Sequence, residues 1–366
     1  MSFARAERVL AVRLDNLGDV VMTTPALAAL KHGGPATRKL TLLASPAGAA
    51  LAPHLDMVDE VIAHAPAWMP GGGDAGADRA LIARLAALRF DAAVIFTSYS
   101  QSALPAAQTC HLAGIPLRLA HCRENPYGLL THWVRESEPE EQARHEVRRQ
   151  LDLVREAGCA PREEGLSFAL RARDRQAARR RLRVAGITSG ARPLVVVHAG
   201  ATAAARRYPA ALYARTLDLL AGLAPCDLVL TGSAAERPAV AALAAACACQ
   251  PTVLAGELDL GALGALLAQA DLLVSNNSCP VHIAAALGTP VVDLYALTNP
   301  QHTPWRVAHR LLFHDVPCRN CHHSVCPEQH HQCLRGVAPA RVALAALELL
   351  QPPVRASEAA CDTALA

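Results

Sequence analysis

The chain has 366 residues, of which 52% are hydrophobic and 4% aromatic, and its formal net charge is +3 at pH 7. Such a length suits two domains better than one core, and so small a charge argues against a nucleic-acid partner. The sequence contains neither a run of 18 apolar residues nor an apolar secretory segment at its N-terminus. We therefore expect a cytoplasmic protein with no membrane-spanning helix.

Short strand-like runs alternate with alanine-rich helical stretches along the chain, which is typical of parallel sheets with helices on both faces. The predicted strands are 8–14, 40–44, 60–63, 92–97, 194–198, 227–231, 271–275 and 290–295. The pattern predicts an α/β fold of two doubly wound, Rossmann-like domains that face a central cleft. We place these domains at 1–165 and 166–350, with a hinge near 161–165 and a disordered tail at 351–366.

The first candidate site follows the first predicted strand, where residues 15–19 form a tight loop and Asp19 stands at the start of a helix. The positive end of the helix dipole favours an ionised carboxylate there. Such a carboxylate can accept a proton, which makes Asp19 a candidate general base and Asp15 a lesser competitor. The ordinary alternative is a helix cap, since aspartate is favoured at that position, and both roles are compatible.

The second candidate site is the segment 271–290, which combines a buried strand, a polar loop and a helix ended by Gly288 and Pro290. Free backbone N–H groups at a helix N-terminus bind anions, and a diphosphate is a frequent ligand. We expect Ser278 and the N–H groups of 278–281 to hold phosphates. A βα turn with no ligand is the alternative.

Two further loops carry charged residues after predicted strands. Arg206 and Arg207 precede a helix and suit a diphosphate, because arginine binds phosphates bidentately; a solvated basic loop is the alternative. Glu236 follows Thr231 and is a candidate for ribose hydroxyls, as acidic residues at such strand ends often are. The alternative is that Glu236 is an exposed glutamate in the first turn of a helix, with no ligand.

A cluster of cysteines and histidines lies near the C-terminus, with the spacing Cys318-x2-Cys321-x4-Cys326-x6-Cys333. Thiolates so close in sequence are typical ligands of a structural zinc or an iron–sulfur cluster. Redox-active thiols and a loop without metal are the alternatives. The other cysteines are scattered, and most suit buried positions as small hydrophobic residues.

Three motifs together resemble one family. Residues 14–21 with 23–27 resemble the N-terminal signature of glycosyltransferase family 9, the ADP-heptose:lipopolysaccharide heptosyltransferases. The block 277–288 is similar to the second signature of that family, and His198-Ala199-Gly200 with 206–209 is similar to the third. The resemblance implies a GT-B architecture in which the N-terminal domain holds the acceptor and the C-terminal domain the nucleotide-sugar.

The resemblance also implies an activity. It implies inverting transfer of heptose from ADP-L-glycero-D-manno-heptose to the lipopolysaccharide inner core, carried by lipid A, at the cytosolic face of the inner membrane. No cofactor is needed for the chemistry in this family, so any metal here would brace a loop. A transferase for another nucleotide-sugar, a 2-epimerase, and a non-catalytic relative that binds a nucleotide or metal are the alternatives.

Residue by residue, the resemblance implies that Asp19 is the catalytic base, with Asn16 and Gly18 on the acceptor side. It also implies donor binding at the positions of Arg206, Arg207, Asn277 and His282, in addition to Glu236 and Ser278, which are donor-binding candidates from their places after predicted strands. For His282 the alternative is a histidine satisfied within its helix. The chain departs from the family at three of the matching positions. It has Asn277 where many members have aspartate, Cys279 where they have glycine, and Arg206 where lysine is usual.

Overall fold

The computed structural model describes residues 2–69, 71–136, 143–188 and 190–351. In these ranges the strands form two six-stranded sheets, and every neighbouring pair of strands is parallel. Helices cover the faces of both sheets, because parallel strands need long crossover connections. The predicted disordered tail lies, except for Gln351, outside the described residues and stays a prediction.

The first sheet has the strand order β3-β2-β1-β4-β5-β6. Its strands are β1 (Arg8–Arg13), β2 (Lys39–Ala44), β3 (Glu60–Ala63), β4 (Ala92–Ile95), β5 (Leu117–Cys122) and β6 (His132–Arg135). The helices of this part are α1 (Leu17–His32), α2 (Pro46–Ala49), α3 (Ala75–Leu88), α4 (Leu104–Leu112) and α5 (Glu146–Glu156). Helix α5 packs against α1 and thereby closes the layer on one face.

The second sheet repeats this order, as β12-β11-β10-β7-β8-β9. Its strands are β7 (Leu194–His198), β8 (Asp227–Thr231), β9 (Thr252–Val253), β10 (Leu272–Asn276), β11 (Val291–Leu294) and β12 (His309–Leu312). The helices are α6 (Ala172–Val184), α7 (Ala210–Leu223), α8 (Arg237–Ala245), α9 (Leu260–Leu267), α10 (Cys279–Leu287), α11 (Gln332–Arg335) and α12 (Pro339–Leu350). The predicted GT-B class, two Rossmann-like domains, is confirmed.

The strand order reverses direction once in each sheet, between β1 and β4 and between β7 and β10. Open parallel sheets bind ligands outside the carboxyl ends of their strands at such switch points. The loops after β1 and β4 therefore belong to one binding edge, and those after β7 and β10 to the other. These are the loops that carry Asp19, Arg206 and Asn277.

All eight predicted strands are present, within one or two residues, but β5, β6, β9 and β12 were not predicted. Strand β5 carries Arg118 and His121, whose polarity hides the strand pattern. Both side chains are buried because backbone carbonyls satisfy them: Arg118 Nε donates to Leu129 O at 2.7 Å, and His121 Nε2 lies 3.1 Å from Arg149 O. The chain passes from one sheet to the other between β6 and β7, so a boundary at 165 stays a prediction.

The largest hydrophobic cluster runs through both halves, with Val21 and Leu30 of α1 and Val281 and Ile283 of α10 among its members. Separate clusters fill the opposite face of each sheet. No helix in the described part of the chain combines the length and the apolar character needed to cross a bilayer.

Candidate active site

A cleft of about 430 Å³ lies between the two sheets, at the carboxyl ends of β1, β7 and β10. It brings together most of the predicted site residues from both halves of the chain. Those lining it are Asn16, Gly18, Asp19, Arg206, Asn277, Ser278 and His282. Glu236 and Arg207 do not line this cleft.

Asp19 lies in the first turn of α1, with its side chain largely buried at the cleft wall. Its Oδ2 accepts a hydrogen bond of 3.2 Å from the N–H of Asn16, the residue that caps the helix. Its Oδ1 lies 3.5 Å from Nη2 of Arg13, the last residue of β1. The helix-cap and base interpretations are thus compatible, since one oxygen is held and the carboxyl still faces the cleft.

Arg13 is fully buried and gathers three carboxylates. Its Nη2 lies 2.8 Å from Glu146 Oε1 and its Nε lies 3.0 Å from Asp15 Oδ2, besides the contact with Asp19. Burial would raise the pKa of Glu146, but Arg13 and Arg149 outweigh burial and lower this pKa to about 2. Glu146 therefore keeps its negative charge, and one arginine cannot fully neutralise the two aspartates as well.

Asp15 and Asp19 both have a raised pKa in this cluster. Burial raises the pKa of Asp15 to about 6, although Arg13 opposes the shift. Burial likewise raises the pKa of Asp19 above its ordinary value of 3.8, with Glu146 acting in the same direction and Arg13 against it. A carboxylate with a raised pKa holds an accepted proton more strongly, which is what general-base chemistry near neutral pH requires.

Gly18 allows the two halves of the cleft to meet. A Cβ at this position would lie 3.0 Å from Cδ2 of His282 and 3.5 Å from Cα of Cys279. The first turn of α1 therefore packs directly against the first turn of α10, and a Cβ at residue 18 would require the His282 ring to shift by a few tenths of an ångström. His282 is 96% buried at this contact, with 4% of its surface exposed, and burial lowers its pKa well below 6.5, so the ring is neutral.

We expect Gly18→Val to destabilise the protein and to reduce activity, because the added atoms must separate α1 from α10. Overpacking of this kind costs about 1–3 kcal/mol, which denaturant unfolding would measure. Gly222→Ala in α7 is the matched control, since a Cβ there meets nothing within 4 Å. A Gly18→Val variant as stable as the unchanged protein would contradict the close approach.

The N-terminus of α10 offers fewer donors than the sequence suggested. Pro280 has no N–H, and the N–H of Val281 donates to Ser278 O at 3.0 Å. The expectation that all N–H groups of 278–281 hold phosphates is therefore wrong for the last two positions. The N–H groups of Ser278 and Cys279 are the ones that remain for a ligand, together with the Ser278 hydroxyl, which already donates to Asn276 O.

Asn277 is buried and anchored from behind. Its Nδ2 donates to Asp293 Oδ2 at 3.0 Å and to His302 O at 2.9 Å, so both amide hydrogens are used inside the protein. Only its carbonyl oxygen is left as an acceptor toward the cleft. An aspartate here would face the carboxyl of Asp293, whose pKa burial already raises to about 7. This gives a physical reason for asparagine at a position where the family often has aspartate.

The structure separates the two neighbouring arginines. Arg206 is half-buried and lines the cleft, where its charge opposes the rise in the pKa of Asp19 and of Asp293. Arg207 is exposed and turns back on its own loop, where Nε donates to Ala201 O at 2.7 Å and Nη2 to Thr202 O at 3.4 Å. Arg206 is placed to meet a diphosphate, and Arg207 is placed to brace the loop that presents it.

Glu236 lies in an adjoining cavity of about 370 Å³ that shares Ser278 and Cys279 with the cleft. Its Oε2 accepts hydrogen bonds of 2.8 Å from both the N–H and the hydroxyl of Ser233. The opposite wall is apolar and includes Leu258, Leu260 and Leu263. A carboxylate beside an apolar wall suits a nucleoside, with hydroxyls at one end and a flat base at the other.

Sequence analysis missed His302, a cleft residue in the segment after β11. The ring is buried, and burial lowers its pKa to about 4, so it faces the cleft uncharged. Nothing in a lone histidine between Gln301 and Thr303 marks it as a site residue. Ser324, which also lines the cleft, was likewise passed over inside the cysteine-rich segment.

The four clustered cysteines surround one small cavity of about 20 Å³, together with His330 and His331. Cys318 Sγ lies 3.6 Å from His330 Nε2. In the described residues, the one group whose ligand atoms all lie within 4.8 Å of one another is instead Asp218, Cys247 and Cys249. The clustered thiols thus share a cavity but are more widely spaced than that group.

The comparisons with known proteins agree with this geometry. The family model described as glycosyltransferase family 9 (heptosyltransferase) matches residues 79–332, which is well over half of the chain. The chain belongs to glycosyltransferase family 9. The predicted family is therefore confirmed, and the match covers Arg206, Asn277 and most of the cysteine cluster.

Two proteins illustrate the similarity, one in sequence and one in structure. The lipopolysaccharide core heptosyltransferase OpsX of Haemophilus influenzae is 40% identical over 79 residues, which is 21% of this chain and 23% of the relative. The sequence match thus spans about a quarter of that protein's length. ADP-heptose lps heptosyltransferase II of E. coli shares the fold with a TM-score of 0.73 at 24% identity, over 94% of this chain and 98% of that one.

A more distant structure is that of TibC from enterotoxigenic E. coli, described as an iron-containing dodecameric glycosyltransferase. Its TM-score is 0.55 at 14% identity, over 95% of this chain and 77% of that one. This likeness concerns the fold.

Proposed function

We propose that this protein transfers heptose from ADP-L-glycero-D-manno-heptose to a sugar of the lipopolysaccharide inner core, with inversion at the anomeric carbon. The observation that carries the proposal is that Asp19 and Arg206, one from each sheet, line the same cleft. A base on one wall and a cation on the other are what glycosyl transfer between two bound substrates requires. The name of the sequence relative OpsX, a lipopolysaccharide core heptosyltransferase, supports the choice of heptose and of the acceptor.

In this mechanism the nucleoside of the donor lies in the cavity beside Glu236, which accepts hydrogen bonds from the ribose. The diphosphate lies between Arg206 and the N–H groups of Ser278 and Cys279. The imidazole of His282, at the contact between the first turns of α1 and α10, is neutral and lines the cleft beside the diphosphate. Asn277 offers its carbonyl oxygen to a donor hydroxyl.

The acceptor enters from the side of residues 1–165, where Asn16 and Gly18 shape the entrance. Asp19 takes the proton of the acceptor hydroxyl as its oxygen attacks the anomeric carbon of the heptose. The bond between that carbon and the diphosphate oxygen breaks, and Arg206 stabilises the charge that develops on the leaving ADP. No step requires a metal. We place the reaction in the cytoplasm, at the inner face of the inner membrane, where such an acceptor is exposed.

Nucleotide release tests the proposal. The protein would be incubated with ADP-heptose and, separately, with UDP- and GDP-sugars, each with a deacylated inner-core acceptor. The nucleoside diphosphate released by transfer would be measured. We expect release with ADP-heptose only. Release with a UDP- or GDP-sugar instead would favour a transferase for another nucleotide-sugar. Tight ADP binding without release would favour a non-catalytic relative.

We also propose that Cys318, Cys321, Cys326 and Cys333 hold one structural metal ion or an iron–sulfur cluster. Four thiols around one cavity fit the ligand preference of zinc and of iron–sulfur clusters, and the fold relative TibC is described as iron-containing. The cavity also contacts Ala205, next to Arg206. The metal would brace the loop that presents Arg206 and would leave the proton transfer to Asp19.

Purified protein should accordingly contain about one equivalent of metal, colourless for zinc and brown for an iron–sulfur cluster. Chelation should lower the melting temperature, because a site that folds around its metal loses that binding energy when the metal leaves. Cys318→Ser should reduce the metal content, whereas Cys226→Ser, outside the loop, should not. Four freely titrating thiols with neither zinc nor iron on elemental analysis would contradict the metal site.

A further inference from the structure

Another cavity, of about 220 Å³, adjoins the cleft and shares Asp19 and Arg206 with it. Every residue that lines it is polar. The two halves of the chain both contribute, with Ser98, Ser100 and Gln101 after β4 and Asn299 and His302 after β11. We call this cavity the polar pocket.

The cysteine-rich segment forms one wall of the polar pocket, through His322 and Ser324. Three backbone hydrogen bonds hold this wall against the second half of the chain: Asn320 N to Leu297 O and His322 N to Thr298 O, both at 2.7 Å, and Ala205 N to Ser324 O at 3.0 Å. The His322 ring also lies 6.4 Å from the ring of Tyr99, which belongs to the first half. The segment is therefore attached to the second half of the chain and approaches the first half at His322.

The charges of the polar pocket indicate what it can accommodate. The charged side chains that line it are Asp15, Asp19 and Arg206, two acids and one cation, and the cation also faces the donor side. Arg13 contacts both aspartates from behind, but Glu146 shares this arginine, so their negative charge is only partly compensated. A carboxylate or phosphate on the bound sugar would therefore meet the remaining negative charge at short range. Hydroxyl groups, in contrast, can pair with serine, glutamine, asparagine and imidazole groups.

We propose that the polar pocket binds the reacting ring of the acceptor, that this ring is a neutral polyhydroxylated sugar, and that His322 and Ser324 of the cysteine-rich segment determine its selection. The inference rests on the proposed transferase function. It goes further by assigning the acceptor ring to a chemical class and by giving the cysteine-rich segment a part in acceptor recognition. The uncharged His302 ring is one of the hydroxyl partners in this pocket.

The test measures ligand binding, so that it does not depend on turnover. The full-length protein, saturated with ADP, would be titrated with the methyl glycoside of a neutral heptose and with the methyl glycoside of a 3-deoxy-2-keto sugar acid, followed by ligand-observed NMR. We expect the neutral glycoside to bind and the acid glycoside to bind at least tenfold more weakly. Equal or tighter binding of the acid glycoside would overturn the proposal.

Variants locate the binding. Ser324→Ala and His322→Ala should each weaken binding of the neutral glycoside by roughly two- to tenfold, since each loses one hydrogen bond between neutral groups. His323→Ala is the matched control, because His323 is exposed on the same segment and does not line the pocket. Gln101→Ala changes a residue of the pocket that belongs to the first half of the chain. It should also weaken binding of the neutral glycoside, and this result would not depend on the cysteine-rich segment.

Unchanged binding in Ser324→Ala, His322→Ala and Gln101→Ala would overturn the assignment of the pocket, as would an equal loss in His323→Ala. The affinity for ADP alone, measured by calorimetry, reports on the donor side and should be the same in His322→Ala, Gln101→Ala and His323→Ala, none of which changes a residue of the donor cleft. A protein that binds the neutral glycoside but not ADP would contradict the proposed function and leave the polar pocket supported, so the two failures are distinguishable.

Discussion

Asp19→Asn is expected to abolish transfer while leaving the affinity for ADP within a few fold of its original value. The carboxylate acts on the acceptor hydroxyl and has no contact to make with the nucleotide, whereas asparagine keeps the size and cannot take the proton. General-base catalysis contributes at least about 10²-fold to a rate, so kcat should fall by that factor or more. Steady-state kinetics and calorimetry on the same preparation check both parts.

Asp15→Asn is the matched control for this variant, because Asp15 binds the same arginine from the other side. It should retain far more activity than Asp19→Asn. The pH dependence gives a further check. The pKa of Asp19 is raised, mainly by burial, so the rate should fall as the pH is lowered through that value and the base becomes protonated. Near-normal turnover in Asp19→Asn would remove this residue from the mechanism.

Arg206→Ala should raise the dissociation constant for ADP by roughly ten- to a hundredfold, in line with the loss of a hydrogen-bonded contact to a charged group. The effect should be larger at low salt, where screening is weaker. Arg207→Ala is the control supplied by the chain itself. Arg207 is bonded to the carbonyls of its own loop, so this variant should change ADP binding much less.

A larger loss of ADP affinity in Arg207→Ala than in Arg206→Ala would show that the loop changes conformation when the nucleotide binds. Arg207 would then contact the phosphates. Unchanged ADP binding in both variants would place the phosphates elsewhere in the protein. Isothermal calorimetry at two salt concentrations distinguishes these results.

The parts of the site that could be predicted from sequence are those whose signals are local. A buried strand that ends in a polar loop and continues into a helix is visible within twenty residues, and this pattern marks both Asp19 and Asn277. Two such loops meet at the cleft because both follow strands at switch points, a consequence of parallel topology. The sequence predicted that both Arg206 and Arg207 bind the diphosphate. The conformation of their loop decides which way each side chain points, and it turns Arg207 away from the cleft.

The parts that could not be predicted depend on contacts between distant segments. Arg13 appears in the sequence as an ordinary strand end, and its partner Glu146 lies 133 residues away. Burial and the nearby Glu146 carboxylate raise the pKa of Asp19 and make it a stronger base than an exposed aspartate, while Arg13 opposes this shift. His302 and His322 could not be predicted for the same reason, because each acquires a role only when the second half of the chain is folded against the first.

Two contacts between the halves also limit how this protein can be recombined with its relatives. Helix α5 belongs to the layer that covers the first sheet, yet the N–H of Glu146 donates to Gln301 O at 2.9 Å, and His145 Nε2 lies 2.9 Å from Thr303 O. An exchange of halves at residue 165 would therefore pair α5 of one protein with the His302 loop of another. Acceptor range would then be inherited jointly from both parents, through the match between helix and loop, rather than with the N-terminal half alone.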